Sequence, residues 1–342
     1  NYTFSEIQGT MIPYGLNSFW AYGMHASQAI QELLDKPGLE IEELLDEDNL
    51  QMEVKTSNQK LLSFLLREEN LKKLIKYTIE EPTVDADTDK KKACKYPYIS
   101  AEILSCESHI MASAFFKQKK KNTDEEGTTQ NQDEVISDQD EETETPDDTF
   151  LDCLFEYLSL EGKFNPTSAG YFCKVVNSLF GKRSSDLIKY IYERRPDILD
   201  KMAKKTISKS VSEVLAKLIT IEGSGSAEPK YVDKRIEVTH LVIDEFCKDR
   251  DIEEINNAAF IICEIFSKYN VMNGSNEILS QLLNEKTIDK FFQYLKVDNM
   301  YSVNAAALVL SNIIAYYILQ DQKALNSEEG DTQDVPEILK NS

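Results

Sequence analysis

The chain has 342 residues, 41% of them apolar, and a formal net charge of −22. That length admits two or three ordinary domains or one extended helical-repeat domain, and 12 Gly and 9 Pro are too few for the many turns of a sandwich or barrel. A field of this sign repels phosphate backbones and anionic lipids, which sets nucleic acid aside as a partner.

Residues 1–16 show no period and read as an extended N-terminal arm. Ser18–Leu34 suits a first helix, with Phe19, Trp20, Met24 and the pair Leu33/Leu34 apolar. Trp20, the single tryptophan, has two readings: an anchor packing the arm onto the first helices, or an exposed aromatic contact for a partner. Between Leu33 and Leu66 the leucines come in pairs (33/34, 44/45, 61/62), as they do when one stripe of a helix is buried. Pro37-Gly38 and Asp46-Glu47-Asp48-Asn49 punctuate these short helices, and the acidic run is placed to cap the helix that follows.

The spacing of Leu71, Leu74, Ile75, Thr78 and Ile79 predicts an amphipathic helix over 69–80, stopped by Pro82. A polar loop, Thr83–Lys92, comes next. Tyr96-Pro97 marks a boundary, because the residue before proline avoids the helical region, and a new helix is expected from Ile99. Residues 117–148 are low in apolar side chains and cannot offset their ordering entropy by burial, so a disordered acidic insertion is predicted there. Within it, 124–148 holds twelve Asp or Glu and no Lys or Arg, so that stretch carries −12 and the rest of the chain −10. Thr123 and Ser137 each precede an acid by three residues, a context for an acid-directed kinase that also arises by chance in acidic loops.

The helical pattern resumes at Phe150/Leu151, and Pro166 suits the first turn of a helix carrying Tyr171/Phe172, Val175/Val176 and Leu179/Phe180. Shorter helices are expected around Leu187–Tyr192 and from Pro196 to Ala203. A longer one spans Ile207–Ile219. Residues 222–230, with Gly223-Ser-Gly-Ser226, read as a flexible loop. Helices over 236–246, 255–266, 278–283, 288–295 and 303–317 complete the series, and 326–342 reads as a polar, frayed tail. Core-like helices at Ile207, Ile255 and Val303 recur every 48 residues, near the length of HEAT or armadillo units. The expected fold is all-α: an α-solenoid of short helix pairs or triplets, one domain over 17–325 interrupted by the insertion and the loop.

Six scattered cysteines without a CxxC pair read as reduced, intracellular thiols acting as small hydrophobes. Three isolated histidines (His25, His109, His240) make no zinc or two-metal pattern, so no metal or cofactor is expected. There is no GxGxxG, P-loop or GxSxG motif. No run of about 18 apolar residues is seen, so no membrane insertion is expected, and no signal peptide is visible at the start.

An ordered set of motifs then points to a family. Phe19-Trp20 precedes LLDKP…IEELLDEDNL…E.K..N.KLL.FL over 33–65; Lys95-Tyr-Pro-Tyr-Ile-Ser-Ala-Glu-Ile-Leu-Ser-Cys106 follows. Asn165-Pro166, Ala169-Gly-Tyr-Phe-Cys-Lys-Val175 and Asn257-Ala-Ala-Phe-Ile-Ile-Cys-Glu-Ile265 close the set. In this order the chain resembles the SAPS-domain family, the regulatory subunits of protein phosphatase 6 and their fungal counterparts.

That resemblance implies a non-catalytic regulatory or scaffold subunit that grips a type 2A-like (phosphatase 6-type) serine/threonine phosphatase catalytic subunit and directs its substrate choice. A third scaffold subunit and phosphoprotein substrates would be further partners, in the cytoplasm and also the nucleus. The expected contacts are polar residues within the motifs that the apolar stripes do not use. Near the start these are Asp35, Lys36, Glu47, Asp48, Lys55, Asn58 and Lys60. Tyr96, Tyr98 and Glu102 come next, then Lys174, Lys182 and Arg183. Each could instead be a solvated surface residue or, for Asn58 and Glu102, an inter-helix hydrogen bond. Two other functions stay open. A trafficking or transport adaptor would repeat Trp/Asn pairs on successive helices, against which the single tryptophan counts. An enzyme with a dispersed site would show itself in hydrolysis assays.

Overall fold

A computed structural model of the chain describes residues 28–81, 91–119, 145–206, 208–221, 231–248, 251–270 and 277–326. The N-terminal arm, Trp20, most of the acidic insertion, the 222–230 loop and nearly all of the tail lie outside the described residues. Where the sequence reads as one domain over 17–325, the chain divides into two compact units, Asn1–Cys153 and Leu154–Ser342. Among the described residues the secondary structure is all-α apart from one pair of three-residue strands.

In the first unit, α1 (28–34), α2 (Ile41–Leu45), α3 (Leu50–Lys55), α4 (Gln59–Leu65), α5 (Glu68–Ile79), α6 (Tyr96–Leu104), α7 (His109–Ser113) and the start of α8 (Thr149–Phe155) follow in order. Two of the three leucine pairs are buried as their spacing predicts, Leu44/Leu45 and Leu61/Leu62, with Leu71 and Leu74 of α5, whereas Leu33 and Leu34 are half-buried. α6 is the hub, packing on α5, α2 and α3. Gly38 turns the chain between α1 and α2 at φ +73°, a conformation that glycine adopts without strain. Asn58 caps α4, its side-chain oxygen accepting from Leu61 N–H at 3.2 Å.

Three sequence expectations are corrected here. Asn49 occupies the cap position of α3 but its side chain makes no capping bond, because its backbone, at φ −100° and ψ 8°, is not in the extended conformation that aims a cap side chain at the first turn. The helix after the Thr83–Lys92 stretch begins at Tyr96, not Ile99, and is preceded by a wide helical turn at Lys91–Lys95. Pro97 sits in the first turn, where its missing N–H costs nothing. The insertion read over 117–148 also has ordered ends: β1 (Lys117–Lys119) pairs antiparallel with β2 (Thr145–Asp147).

The second unit completes α8 and continues with α9 (Pro166–Lys182), α10 (Ser184–Lys189), α11 (Asp197–Lys204), α12 (Lys209–Ile219), α13 (Val232–Phe246), α14 (Ile252–Asn270), α15 (Glu277–Leu282), α16 (Glu285–Tyr294) and α17 (Met300–Asn326). Asparagine and serine caps start three of them: Asn165 bonds Thr167 N–H at 2.8 Å, Ser208 bonds Val211 N–H at 3.5 Å, and Asn284 bonds Lys286 N–H at 3.0 Å. α9, α12, α14 and α17 pack each on the next, forming one row, while α11, α13 and α15 form a second. This is stacking of the HEAT or armadillo kind. The starts of α12, α14 and α17 lie 43 and 48 residues apart, so the expected 48-residue step holds for the second interval only.

A buried cation links the rows. Arg235 of α13 is 1% exposed; its Nε donates to the Ile219 carbonyl at the end of α12 at 2.6 Å, and its guanidinium also reaches the Tyr269 hydroxyl of α14. A positive charge suits a helix C-terminus, where unmet carbonyls concentrate negative potential. The stretch Met300–Lys323 is long and apolar enough to cross a bilayer, at mean hydropathy 1.6, contrary to the reading that no such run exists. One face of it packs on α14 and α16 as a core helix does.

Candidate functional site

The acidic connector between α2 and α3 is the most heavily bonded polar feature of the first unit. Asp46 accepts from Lys91 Nζ at 3.0 Å and from the Tyr96 hydroxyl at 3.3 Å, while its main-chain oxygen accepts from Lys95 Nζ at 2.7 Å. Lys95 also reaches Asp48 at 3.4 Å. The Lys91 ammonium holds the Asp46 carboxyl below its ordinary range. Alongside, the Tyr77 hydroxyl donates to Glu42 at 2.7 Å and Lys73 bridges Glu40 and Glu42 at 2.9 and 3.3 Å. Burial raises the Glu42 carboxyl, but the Tyr77 and Lys73 bonds outweigh it and leave the group lowered. The rings of Tyr77 and Tyr96 meet edge to face at 5.4 Å.

The expected contact residues fall into separate patches. Asp35 pairs with Lys60, and Lys36 pairs with Glu43 at 2.5 Å, so three of them are tied within the α1–α4 region. Asp48 and Tyr96 meet at the clamp around the connector; Tyr96 is 4% exposed and so a packing residue first. Glu47 is half-buried beside it, and Lys55 is exposed at the end of α3. Asn58, besides capping α4, donates to Glu53 at 3.2 Å, the inter-helix role foreseen for it. Tyr98 (45% exposed) and half-buried Glu102 stand one turn apart on α6. In the second unit, exposed Lys174 and half-buried Lys182 share a stripe of α9 with Ser178, which Lys182 bonds at 2.6 Å; Arg183 bonds Asp186 at 2.7 Å.

Sequence reasoning missed Asp46, Glu42, Lys73, Tyr77, Lys91 and Lys95. The signal was there in charge: the lysine run at 90–92 with Lys95 is the natural complement of the acids at 46–48.

The second unit also has a cleft of about 580 Å³ where the N-terminal ends of α9, α12 and α14 converge, lined by Phe164, Pro166, Ser208, Lys209 and Asn257 among others. Two of the motifs meet here, Asn165-Pro166 and the Asn257 segment. Asn257 is committed to structure, its Nδ2 donating to the Thr206 carbonyl at 2.7 Å. Lys163 at the rim pairs with Asp251 at 2.5 Å. Among the described residues no group of three or more His, Cys, Asp or Glu could hold a metal ion. Burial pushes the Cys247 and Cys263 thiols up to about 11 and Cys173 higher, which favours the protonated form of these three over the reactive thiolate.

Residues 176–337 match the SAPS family, described as SIT4 phosphatase-associated protein. Serine/threonine-protein phosphatase 6 regulatory subunit 3-B of Xenopus laevis is 25% identical over 314 residues, covering 86% of this chain and 32% of that protein. Regulatory subunit 2 of Homo sapiens is 24% identical over 256 residues, covering 72% of this chain and 22% of its own length. The extragenic suppressor of kinetochore protein 1 of Schizosaccharomyces pombe is 24% identical over 310 residues, 85% of this chain and 33% of its own. This chain thus spans about a third or less of the relatives it matches. No solved structure matches it. Residues 176–337 are thus similar to SAPS-family proteins, and the chain is similar over most of its length to proteins named as phosphatase 6 regulatory subunits.

Proposed function

We propose that this chain is a non-catalytic regulatory or scaffold module that binds a phosphatase 6-type serine/threonine phosphatase catalytic subunit and directs its substrate choice. The observation that carries the reading is the similarity, over 86% of the chain, to a protein named as a phosphatase 6 regulatory subunit. The stacked helices of the second unit support it, since such arrays offer long surfaces used for binding. A scaffold of this kind changes which phosphoproteins reach the partner's active site by adding docking surface and restricting approach. The chemistry stays with the catalytic subunit, with a third scaffold subunit and phosphoprotein substrates as further partners. Cytoplasmic and nuclear residence, which free thiols suit, completes the reading.

Co-elution of the purified chain with phosphatase 6-type and type 2A catalytic subunits at physiological salt tests this. A stable one-to-one complex with the first and not the second is expected. Binding to neither, with the chain folded by circular dichroism, overturns it. Within that complex, Tyr98→Ala combined with Glu102→Arg should weaken binding about tenfold or more without unfolding the chain, because Tyr98 is exposed.

A further inference from the structure

This acidic chain has one strongly basic stretch. Residues 162–220 hold twelve Lys or Arg against five Asp or Glu, a net of +7 in a chain that carries −22 overall. The stretch covers α9 to α12, all within the second unit. The whole-chain charge that repels phosphate is therefore reversed along these helices.

The cleft of about 580 Å³ takes most of its lining from this stretch. Lys163 and Phe164 come from the loop before α9, Lys209 and Ser210 from the start of α12, and Glu253 and Asn256 from the start of α14. Its size is that of ordinary ligand clefts. The loop wall is held by lysines outside the lining. Lys205 Nζ donates to the Leu160 and Gly162 carbonyls at 2.7 and 3.2 Å and stands over the Phe164 ring at 4.8 Å, and Lys201 Nζ donates to the Ser159 hydroxyl at 3.2 Å.

The donors that face the cleft are, by contrast, uncommitted. The side chains of Lys209, Ser210 and Asn256 make no hydrogen bond or ion pair among the described residues, and Lys209 and Asn256 are exposed. Lys163 is paired with Asp251, but both partners are exposed, and solvent screens such a pair to little net worth, so the ammonium can turn to a stronger anion. Glu253 is the one carboxylate among the described lining residues, against two ammonium groups. A phosphate group brings about two negative charges and three strong acceptor oxygens, which two ammoniums and a hydroxyl are suited to meet. The N-terminal ends of α9 and α12 add positive potential on the same side. A free phosphate would leave most of this volume empty. The Asn256 amide, both donor and acceptor, matches a peptide group beside the phosphate.

We propose that this cleft is a docking site for a phosphorylated, acidic peptide segment, its phosphate set against Lys209, Ser210 and Lys163 and its main chain met by Asn256. The peptide's origin, a phosphoprotein brought to the partner phosphatase, rests on the proposed scaffold reading. Fluorescence anisotropy of the purified chain at physiological salt, with no phosphatase present, tests the site. The probe is an acidic peptide carrying one phosphoserine, set against the same peptide with serine. Phosphorylation should tighten binding about tenfold or more. Lys209→Glu should erase most of that gain, and Asn256→Ala should weaken both peptides about threefold. Lys189→Glu, at an exposed lysine of α10 in the same basic stretch but outside the lining, should change either affinity by less than about twofold. Circular dichroism of the variants should match the parent, since all three altered residues are exposed. Equal binding of the two peptides, a phosphorylation gain that survives Lys209→Glu, a loss from Lys189→Glu as large as that from Lys209→Glu, or a single-stranded RNA that binds as tightly as the phosphopeptide would each overturn the proposal. With no phosphatase in the titration, a negative result leaves the proposed complex standing, and a failed co-elution leaves the cleft standing.

Discussion

The two units bury apolar surface alike and both carry surface ion pairs, but among the described residues only the second buries charged side chains, Arg235 and Glu245. In the first, short helices of five to twelve residues are tied together at the surface, by an acidic connector held between Lys91, Lys95 and Tyr96 and by Tyr77 and Lys73 on Glu42. In the second, helices of up to 27 residues pack in rows, and the decisive polar group, Arg235, is inside. The difference teaches where each unit is vulnerable. A partly exposed network is screened by solvent and loses little when one member goes. A buried cation that meets the end of one helix and the side of another leaves costly unmet acceptors when removed.

The sharpest way to break that contrast is Arg235→Met. It should lower unfolding free energy by about 3 kcal/mol in urea titration, as the Ile219 carbonyl loses its closer, charged donor and keeps only the Tyr269 hydroxyl at 3.4 Å. A loss below about 1 kcal/mol would mean that the interior cation is as dispensable as a surface one.

Tyr77→Phe should cost about 1 kcal/mol at neutral pH, because the hydroxyl donates to a charged but half-buried carboxylate. The pH dependence follows from Glu42, whose folded value lies below its ordinary 4.5. Its contribution is complete above pH 4.5 and is lost as pH falls through the lowered folded value. The gap between parent and variant in urea midpoint should therefore narrow on acidification. A gap that widens instead would place the stabilising charge elsewhere.

Lys60→Ala removes only an exposed pairing with Asp35 and should change stability by about 0.5 kcal/mol or less in the same titration. If its effect rivals that of Tyr77→Phe, the first unit depends on its rim as well as on the connector.

Much of the architecture could be read from periodicity. The leucine pairs, the 69–80 helix, the capped Asn165-Pro166 start and the long helices after 230 all appear near where spacing puts them, because each buries a stripe against a neighbour. The site was less legible, and for a definite reason. Tyr96 was picked as a contact for being polar within a motif, yet it is buried, its hydroxyl serving Asp46 across fifty residues of sequence. Lys95, one place earlier, was passed over although it closes the clamp. Pairings between distant charges leave no period in a sequence; only complementarity hints at them. Arg235 shows the same limit, since nothing in its neighbours along α13 announces that a carbonyl of α12 waits for it.

The little strand pair at 117–119 and 145–147 carries a consequence for how this protein tolerates change. By setting Lys117 across from Asp147 and Lys119 across from Thr145, it brings the chain's exit and return to within about 5 Å of each other. Lys117 is also held over the Phe150 ring at 5.0 Å, which ties the clasp to the helix that follows. For a connection between paired strands in general, each doubling of length costs only about 0.6 kcal/mol of closure entropy. An insertion between the strands should therefore leave the helices on either side, α7 and α8, in register.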